Sequence, residues 1–379
     1  MSGYRSMSSN TLLKPFCAGP FVRAYVLPDG SFRDCCATHP ALLSMPGQDF
    51  SHWWYRDSRL ESMRQQMQAS DFPAACQSCR VQDSSGNSLR QAINRNNLDA
   101  SPGQHPREWS IMFGNVCNLA CWTCSEFFSS TIAAQKKRIN ILPTDYVDSQ
   151  QLFMQRWEQL RAEIMRSYEQ HDRVTLTLLG GEPSYNPVVR EFLKQLYQAG
   201  LAPRTRIELT TNGTKTNQKF FDLITDPSWL SLSVFVSVDA VGTKAGWLRY
   251  GSDWNDVESN IHAYKKAAYR VELHTVVSVL NIRDLPTVHD FARDQNLIFT
   301  PFPLRTPDYL SLAHWDGPAL VDRTDAYQER GLMDYIELIG TQKIVGSRSQ
   351  LIQYLDKFHS IRTSLETVDL DLYQRIKGD

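Results

Sequence analysis

Strand-like and helix-like segments alternate between residues 109 and 304, and this alternation restricts the chain to a small number of folds. Such alternation indicates parallel strands joined by crossover helices. It predicts an α/β fold built as a partial (β/α)6 TIM barrel, in which residues 151–170 are also compatible with an insertion. The predicted strands are 109–116, 173–180, 206–212, 232–239, 271–280 and 298–304, and the predicted helices are 126–140, 151–170, 187–200, 217–225, 254–268 and 285–295.

Polar residues share one face of three predicted strands, and the opposite faces are apolar. These polar residues are Glu208, Thr210 and Asn212; Ser233, Ser237 and Asp239; and Glu272, His274 and Ser278. Since successive side chains of a strand point to opposite sides, the apolar faces lie under the helices and the polar faces line the interior. Closed eight-stranded barrels fill their interior with apolar side chains, so a polar interior predicts an open barrel that holds a polar ligand. The alternative is a scatter of hydrogen-bonded polar groups with structural roles.

Three cysteines form a C-x3-C-x2-C loop directly after the first predicted strand, at Cys117, Cys121 and Cys124. Thiolate ligands of this kind select zinc or iron–sulfur clusters. Because a four-iron cluster usually takes four cysteines, a three-cysteine loop predicts an iron with one open coordination position. An open position of this kind is a reactive position.

The other five cysteines lie in the first hundred or so residues, at Cys17, Cys35, Cys36, Cys76 and Cys79. Apolar alternation on both sides of Pro28-Asp29-Gly30 predicts a β-hairpin, followed by helices near 57–69 and 88–97. Because consecutive strand residues point to opposite faces, only one of Cys35 and Cys36 is expected to join the other three. The resulting closed four-cysteine site fits structural zinc or a saturated cluster.

The composition is that of a globular protein, with 42% apolar residues among 379. Lys plus Arg is 40 and Asp plus Glu is 41, and the resulting net charge of −1 argues against a nucleic-acid partner. No apolar run approaches the ~18 residues of a membrane span, and residues 1–10 lack the apolar core of a secretion signal. We therefore expect a soluble cytoplasmic protein, in which cysteines bind metal rather than form disulfides.

Proline and glycine in residues 100–107 predict a linker. The predicted domains are therefore a cysteine-bearing module over 1–105, the barrel over 106–310 and a helical extension over 311–379. Within the extension, amphipathic helices are predicted near 318–345 and 350–377. A lid, a docking surface and a packing layer are all compatible with this extension, and packing is the default.

Three short motifs follow predicted strands, so they lie at the same barrel mouth as the cysteine loop, where barrel enzymes place their chemistry. The two glycines of the first motif permit close backbone approach to a ligand, and its glutamate can accept a hydrogen bond from a ligand ammonium group. Each motif alone is also typical of an ordinary turn or cap. The motifs are Gly180-Gly181-Glu182-Pro183, Thr210-Thr211-Asn212-Gly213 and Ser237-Val238-Asp239.

The C-x3-C-x2-C loop, followed by Gly-Gly-Glu-Pro and Thr-Asn-Gly-Thr at strand ends, resembles the radical S-adenosylmethionine (SAM) superfamily over residues 108–305. Residues 1–105 resemble a twitch domain, the short relative of the SPASM domain, which holds an auxiliary [4Fe-4S] cluster. Cys17 and the segment from Gly30 to Cys35 match the C-x(9–15)-G-x4-C opening of those domains, and Cys76-x2-Cys79 supplies the remaining pair. In most relatives this module follows the barrel, whereas here it precedes it.

The resemblance implies a role for each motif. The three loop cysteines would bind the SAM-cleaving [4Fe-4S] cluster, and the amine and carboxylate of SAM would chelate its open iron. Glu182, with the Gly180-Gly181 backbone, would hold the amine. Asn212, Ser237 and Asp239 would contact the ribose or the carboxylate, and Arg249 is either a further carboxylate contact or a surface arginine. The family usually has an aromatic residue, near the adenine, just before the third cysteine; here Thr123 stands there and Trp122 precedes it.

The resemblance also implies the chemistry of an oxidoreductase. An external donor such as flavodoxin or ferredoxin reduces the cluster, SAM breaks into methionine and a 5′-deoxyadenosyl radical, and the radical abstracts hydrogen from the substrate. A peptide or protein side chain is the leading substrate, and a saturated auxiliary cluster would accept or relay electrons. The first alternative is a dehydrogenase or epimerase of a small molecule such as a sugar or alcohol, and the second is a non-catalytic zinc or iron–sulfur protein. Glu208, His274 and Tyr250 are candidate proton handlers, although lone interior polar residues usually have structural roles.

Overall fold

The computed structural model describes residues 16–83, 88–97, 99–100, 103–214 and 217–378. Its strands form a sheet in the order β2-β1-β3-β4-β5-β6-β7-β8, in which β1 pairs antiparallel with β2 and the pairs β1–β3, β6–β7 and β7–β8 are parallel. The prediction of an α/β fold with mostly parallel strands is thus confirmed, and the sheet is consistent with a partial barrel. The strands are β1 (Arg23–Val26), β2 (Phe32–Arg33), β3 (Glu108–Met112), β4 (Val174–Leu179), β5 (Thr205–Thr211), β6 (Ser231–Ser237), β7 (Arg270–Val277) and β8 (Ile298–Pro303).

Helices follow most strands from β3 onward, and most of them lie where the apolar periodicity predicts them. Among the described residues, the helices are α1 (Gly19–Val22), α2 (Phe50–Arg56), α3 (Ser58–Gln68), α4 (Gln77–Gln82), α5 (Leu89–Asn96), α6 (Ser130–Arg138), α7 (Ser149–Gln170), α8 (Pro187–Gln198), α9 (Gln218–Ile224), α10 (Thr243–Leu248), α11 (Trp254–Ala267), α12 (Leu285–Asp294), α13 (Asp325–Gln328), α14 (Met333–Glu337), α15 (Ser347–Lys357), α16 (Leu365–Val368) and α17 (Leu370–Lys377). The short helices α1, α2, α4 and α10 were not predicted.

The predicted helices of residues 311–379 are wrong in length. The segment 318–345 forms only α13 and α14, and glycines with φ of 66° at Gly331 and 69° at Gly340 follow these two helices. The segment 350–377 is divided among α15, α16 and α17. Ser364 and Asp369 accept hydrogen bonds from backbone N–H groups of the helices that follow them, so each starts a new helix.

The segment 109–116 was predicted as one strand, but β3 ends at Met112. Gly114 has a φ of 79°, which extended backbone does not permit, and its N–H donates to Met112 O at 2.8 Å. Helix α6 likewise begins at Ser130 rather than near 126, because the Ser129 side chain caps it by accepting from Ile132 N. Both differences lengthen the loop that carries the three cysteines.

The chain divides into two compact units. The first contains residues 1–114, 149–177 and 204–206, and the second contains 115–148, 178–203 and 207–379. The five cysteines of the N-terminal segment belong to the first unit, and the three-cysteine loop belongs to the second. The domains 1–105, 106–310 and 311–379 stay a prediction.

The first unit contains the predicted hairpin, in which Tyr25 pairs with Arg33 and Val26 pairs with Phe32. Strand β1 also pairs in parallel with β3, a contact that the sequence pattern did not predict. Beside these strands, the Phe50 ring of α2 packs on the Trp109 ring at 4.8 Å between centroids.

The second unit has a core to which the segment after residue 310 contributes many side chains. Buried residues of this core include Trp122, Trp247, Trp315, Leu351 and Phe358. The extension therefore packs on the barrel part of its own unit. Among the described residues, no helix is long and apolar enough to cross a bilayer.

Candidate active site

The cysteine loop is held by backbone hydrogen bonds to the segment that ends α10. Ala120 N donates to Tyr250 O at 2.9 Å. Trp122 N donates to Leu248 O at 3.0 Å. These two hydrogen bonds join the middle of the loop to the end of α10. The positions of the thiols therefore depend on that helix.

The start of α6 holds the other part of the loop through hydroxyl groups. Thr131 Oγ1 donates to Cys117 O at 2.6 Å. Ser129 Oγ, which caps α6, donates to Leu119 O at 2.7 Å. The run Ser129-Ser130-Thr131 thus starts the helix and also satisfies loop carbonyls that would otherwise be buried without partners.

Burial raises the pKa of all three thiols of the loop. For Cys117 it rises to about 12, and the neighbouring Cys121 thiol adds to the effect of burial. Burial also raises the pKa of Cys121 and Cys124, although Arg249, whose Nη1 lies 3.9 Å from Cys121 Sγ, opposes the shift at Cys121. Thiols in such a site become thiolates when a metal takes the place of the protons. The donor set of three soft ligands fits an iron–sulfur cluster.

The Gly-Gly-Glu turn packs against the residue before the first cysteine of the loop. Gly180 and Gly181 have φ values of 81° and 51°, which favour glycine. A Cβ on Gly181 would lie 2.1 Å from Val116 O, so no larger residue fits there. Glu182 N donates to the same carbonyl at 2.8 Å. The close approach of Gly181 is therefore made to the chain's own backbone, beside Cys117.

The Glu182 carboxylate is buried and accepts four hydrogen bonds. Oε1 accepts from Thr211 Oγ1 at 2.9 Å, and from the N–H and hydroxyl of Ser184 at 3.2 and 2.8 Å. Oε2 accepts from Asn212 N at 2.7 Å. Burial raises the carboxyl pKa, and these hydrogen bonds oppose that shift. Oε2 accepts one hydrogen bond from the described residues, so it has the capacity to accept a further one from a ligand ammonium group.

Asn212 connects the end of β5 to the cysteine loop. Its Nδ2 donates to Asn118 Oδ1 at 2.8 Å, and Asn118 Nδ2 donates to Thr214 Oγ1 at 2.9 Å. Thr214 Oγ1 in turn donates to Asn212 Oδ1 at 2.6 Å. The Asn212 amide, predicted to contact SAM, is thus engaged in a ring of side chains. Asn118 was not predicted as a site residue, although its position directly after Cys117 was a signal.

Asp239 and Arg249 form an ion pair beside the loop. Asp239 Oδ2 lies 3.0 Å from Arg249 Nε, and Asp239 Oδ1 accepts from Val276 N at 2.9 Å. The Arg249 side chain is only 13% exposed, so the alternative of a surface arginine is wrong. Arg249 therefore joins Asp239 to Cys121. Ser237, the third residue predicted here, ends β6 and is half-buried.

The candidate proton handlers have different surroundings. Glu208 is half-buried on β5. His274 Nε2 lies 3.5 Å from Glu272 Oε2, on the half-exposed polar face of β7. The Tyr250 hydroxyl donates to Ile361 O at 3.0 Å, so this hydroxyl has a structural role. A role in proton transfer stays a prediction for all three.

Trp122 lies in the apolar core of the second unit. Its ring is 2% exposed and packs against Trp247, Tyr354 and Phe358 at 5.2, 5.6 and 5.6 Å between centroids. A ring enclosed in this way is poorly placed to stack on an adenine. The neighbouring Thr123 is half-buried.

Four of the five N-terminal cysteines line one small cavity in the first unit. Burial raises the pKa of Cys17 and of Cys76 to about 12. No three of the described His, Cys, Asp and Glu side chains, in either unit, are placed to hold a single metal ion. Residues that line the cavity include Cys17, Cys35, Cys76 and Cys79 together with Met63, Met67, Phe72 and Ile93.

Cys35 and Cys36 lie beyond the end of β2, so the alternation of a strand does not set their directions, and their thiols are hydrogen-bonded to each other. Cys35 lines the cavity. Cys36 is exposed, and its Sγ lies 3.6 Å from Tyr25 Oη. Of the two alternatives, Cys35 is thus the one that lines the cavity with the other three cysteines, and the choice of ligand stays a prediction.

Comparison with protein families gives one match that covers the candidate site. The radical SAM superfamily model matches residues 111–292, which contain the three-cysteine loop, the Gly-Gly-Glu turn and Arg249. The S-adenosylmethionine-dependent nucleotide dehydratase of Flammeovirga pacifica is 22% identical over 228 residues. That alignment covers 57% of this chain and 68% of the dehydratase.

Two solved structures resemble the chain at low sequence identity. Native anSMEcpe with bound AdoMet is 18% identical, covering 70% of this chain and 67% of that chain, with a TM-score of 0.43. SuiB of Streptococcus suis bound to S-adenosylmethionine is 13% identical, covering 74% of this chain and 57% of that chain, with a TM-score of 0.37. Because both TM-scores are below 0.5, these two likenesses add no argument to the family match.

Proposed function

We propose that this chain, whose match over residues 111–292 supports membership of the radical SAM superfamily, is a SAM-cleaving enzyme that abstracts hydrogen from a substrate. The observation that carries this proposal is the contact of two strand-end motifs with the cysteine loop. Glu182 N donates to Val116 O, and Asn212 Nδ2 donates to Asn118 Oδ1. Three thiols, a buried carboxylate and a buried guanidinium are thereby held in one compact unit.

In this proposal Cys117, Cys121 and Cys124 hold a [4Fe-4S] cluster whose open iron binds SAM. When bound, the cluster and SAM supply reductive cleavage of the sulfonium bond, which yields methionine and a 5′-deoxyadenosyl radical. Glu182 Oε2 would accept from an N–H of the SAM amine, and the hydrogen bonds at Oε1 keep the carboxylate in place. Arg249 attracts the SAM carboxylate or the cluster, while Asp239 fixes the direction of its side chain.

The N-terminal cavity is proposed to hold an auxiliary [4Fe-4S] cluster, with Cys17, Cys35, Cys76 and Cys79 as ligands. Four protein ligands leave no open iron, so this cluster would accept or relay electrons rather than bind substrate. Structural zinc is the alternative for four thiolates. The family resemblance of the N-terminal segment favours the cluster.

The substrate is proposed to be a peptide or protein side chain, and the small-molecule alternative is narrowed to a nucleotide. The name of the Flammeovirga pacifica relative is the observation that favours the nucleotide. Half-exposed polar groups on the β5 and β7 faces, including Glu208 and His274, are compatible with either. Mass spectrometry after incubation with SAM, reductant and either the four nucleoside triphosphates or candidate peptides would separate the two. A mass change in only one substrate class would identify the class.

The function is tested first on anaerobically purified protein. If both sites hold four-iron clusters, the protein is brown and carries about eight irons per chain. With SAM and dithionite, or with reduced flavodoxin or ferredoxin, it forms 5′-deoxyadenosine. Colourless protein that carries only zinc and forms no 5′-deoxyadenosine would instead support the non-catalytic alternative.

A further inference from the structure

Arg362 lies in the connection between α15 and α16, and it is only 5% exposed. Its guanidinium carbon lies 4.3 Å from the centroid of the Trp122 ring and 4.2 Å from that of the Phe358 ring. The Tyr250 ring lies 5.3 Å away. Aromatic faces attract a cation, more strongly where water is excluded. The C-terminal extension thus places a positive charge against Trp122, which lies between the second and third cysteines of the loop.

The hydrogen-bond partner of Arg362 is neutral. Its Nε and Nη2 donate to Gln135 Oε1 at 2.8 and 2.6 Å. Its Nη1 is buried and has no hydrogen-bond partner among the residues that the structure describes. No carboxylate of the described residues lies within 4.0 Å of the guanidinium. Burying a charge without a counter-charge lowers the stability of the fold. The Arg362 guanidinium therefore needs a negative partner.

The cysteine loop can supply the missing negative charge. Trp122, on whose ring the Arg362 guanidinium stacks, directly follows Cys121 in the loop. Arg249 faces Cys121, but its charge is already balanced by Asp239 at 3.0 Å. Of these two arginines beside the loop, Arg362 is therefore the one that lacks a carboxylate partner.

We propose that Arg362 is a positioning residue whose buried charge balances the negative charge of the metal-bound cysteine loop, and so makes the cluster easier to reduce. The proposal rests on the proposed function. Reduction adds one negative charge, and a nearby cation in a water-poor environment stabilises it. Net charge and solvent exposure are among the factors that set cluster potentials. The electron comes from the external donor.

The first test measures the midpoint potential of the SAM-responsive cluster in the full-length loaded protein, by redox titration followed by EPR. Arg362→Met removes the charge and keeps an unbranched stem, whereas Arg362→Lys keeps the charge as a matched control. For Arg362→Met, we expect the ratio of reduced to oxidised cluster at fixed potential to fall about tenfold, which is 59 mV for a one-electron couple. Arg362→Lys should change the midpoint potential of the cluster much less. An unchanged midpoint in Arg362→Met, or equal shifts in both variants, would overturn the proposal.

The second test needs no activity and serves if Arg362→Met loads poorly. Thermal unfolding of metal-free and loaded chains is compared for the wild type and both variants. Because the metal-free site lacks the counter-charge, Arg362→Met should lose more stability in the loaded chain than in the metal-free chain. Equal losses in both states would show that Arg362 acts only by packing. A wild-type chain that takes up no iron would overturn the proposed function and this proposal with it.

Discussion

The two cysteine sites share buried thiols but differ in what surrounds those thiols. The three-cysteine loop lies beside a buried carboxylate and two buried arginines, at Glu182, Arg249 and Arg362. The N-terminal cavity has four cysteines and walls made largely of apolar side chains such as Met63 and Phe72, and its one lining arginine, Arg90, is paired with Asp83. Three ligands with charged neighbours suit a metal group that must still bind a polar reactant. Four ligands with apolar walls suit a metal group that stays shielded.

Removing one ligand from each site tests this difference with the largest expected effect. Cys121→Ala should reduce 5′-deoxyadenosine formation to the rate without enzyme, because the loop then offers only two ligands. Cys76→Ala should lose about half of the iron, roughly four of eight, and keep part of the SAM cleavage. Iron analysis and product quantification check both variants. Unchanged product in Cys121→Ala, or full iron in Cys76→Ala, would refute the ligand assignment concerned.

The next effect concerns the packing of the Gly-Gly-Glu turn on the loop. Gly181→Ala places a methyl group 2.1 Å from Val116 O, and we expect a loss of about 3 kcal/mol in the free energy of unfolding, with loss of SAM cleavage. Gly200→Ala is the matched control, since its φ of 71° is also positive but nothing lies within 4 Å of the added Cβ. It should cost only about 1 kcal/mol and leave SAM cleavage intact. Similar losses in both variants, by chemical denaturation, would disprove the close packing.

Adjacent cysteines of the N-terminal segment provide an internal test of the second site. Cys35→Ser should lower the iron content by about half, as expected for a ligand of a four-iron cluster. Cys36→Ser should keep the full iron content, because Cys36 is exposed and faces Tyr25. The reverse result would reassign the ligand to Cys36. Zinc in place of iron at the N-terminal site of the wild type would contradict the assignment of an auxiliary cluster there.

The smallest predicted effect separates loop positioning from general stability. The Tyr354 hydroxyl donates to Trp122 O at 2.9 Å, within the cysteine loop, and the Tyr335 hydroxyl donates to Pro301 O at 2.7 Å, away from it. Each Tyr→Phe substitution should cost about 1 kcal/mol of unfolding free energy. Only Tyr354→Phe should also lower the yield of loaded loop cluster, measured by EPR. Equal cluster yields would show that this hydrogen bond does not position the loop.

The sequence predicted those parts of the site that follow from strand order. Cys117, Glu182 and Asn212 each follow a strand of a parallel sheet, so their meeting follows from the rule that the carboxyl ends of such strands share one edge. The β–α alternation likewise predicted the α/β fold, because apolar periodicity is a local property.

Features that depend on distant contacts were not predictable in this way. The burial of Trp122 depends on Tyr354, more than two hundred residues away, and the Asp239–Arg249 ion pair needs the turn before α10. The short helices of the extension depend on caps such as Ser364 within a segment of weak periodicity. Cluster potential and substrate are set by such contacts as well, which is why the motifs alone leave them open.

The most direct test of the central claim measures SAM on the open iron. The loaded Cys76→Ala protein, which should keep only the loop cluster, is reduced and mixed with SAM labelled with 15N at the amine or 17O at the carboxylate. Electron–nuclear double resonance should show coupling of both labels to the reduced cluster, as in the wild type. A loaded and reduced loop cluster with no coupling to either label would contradict the account.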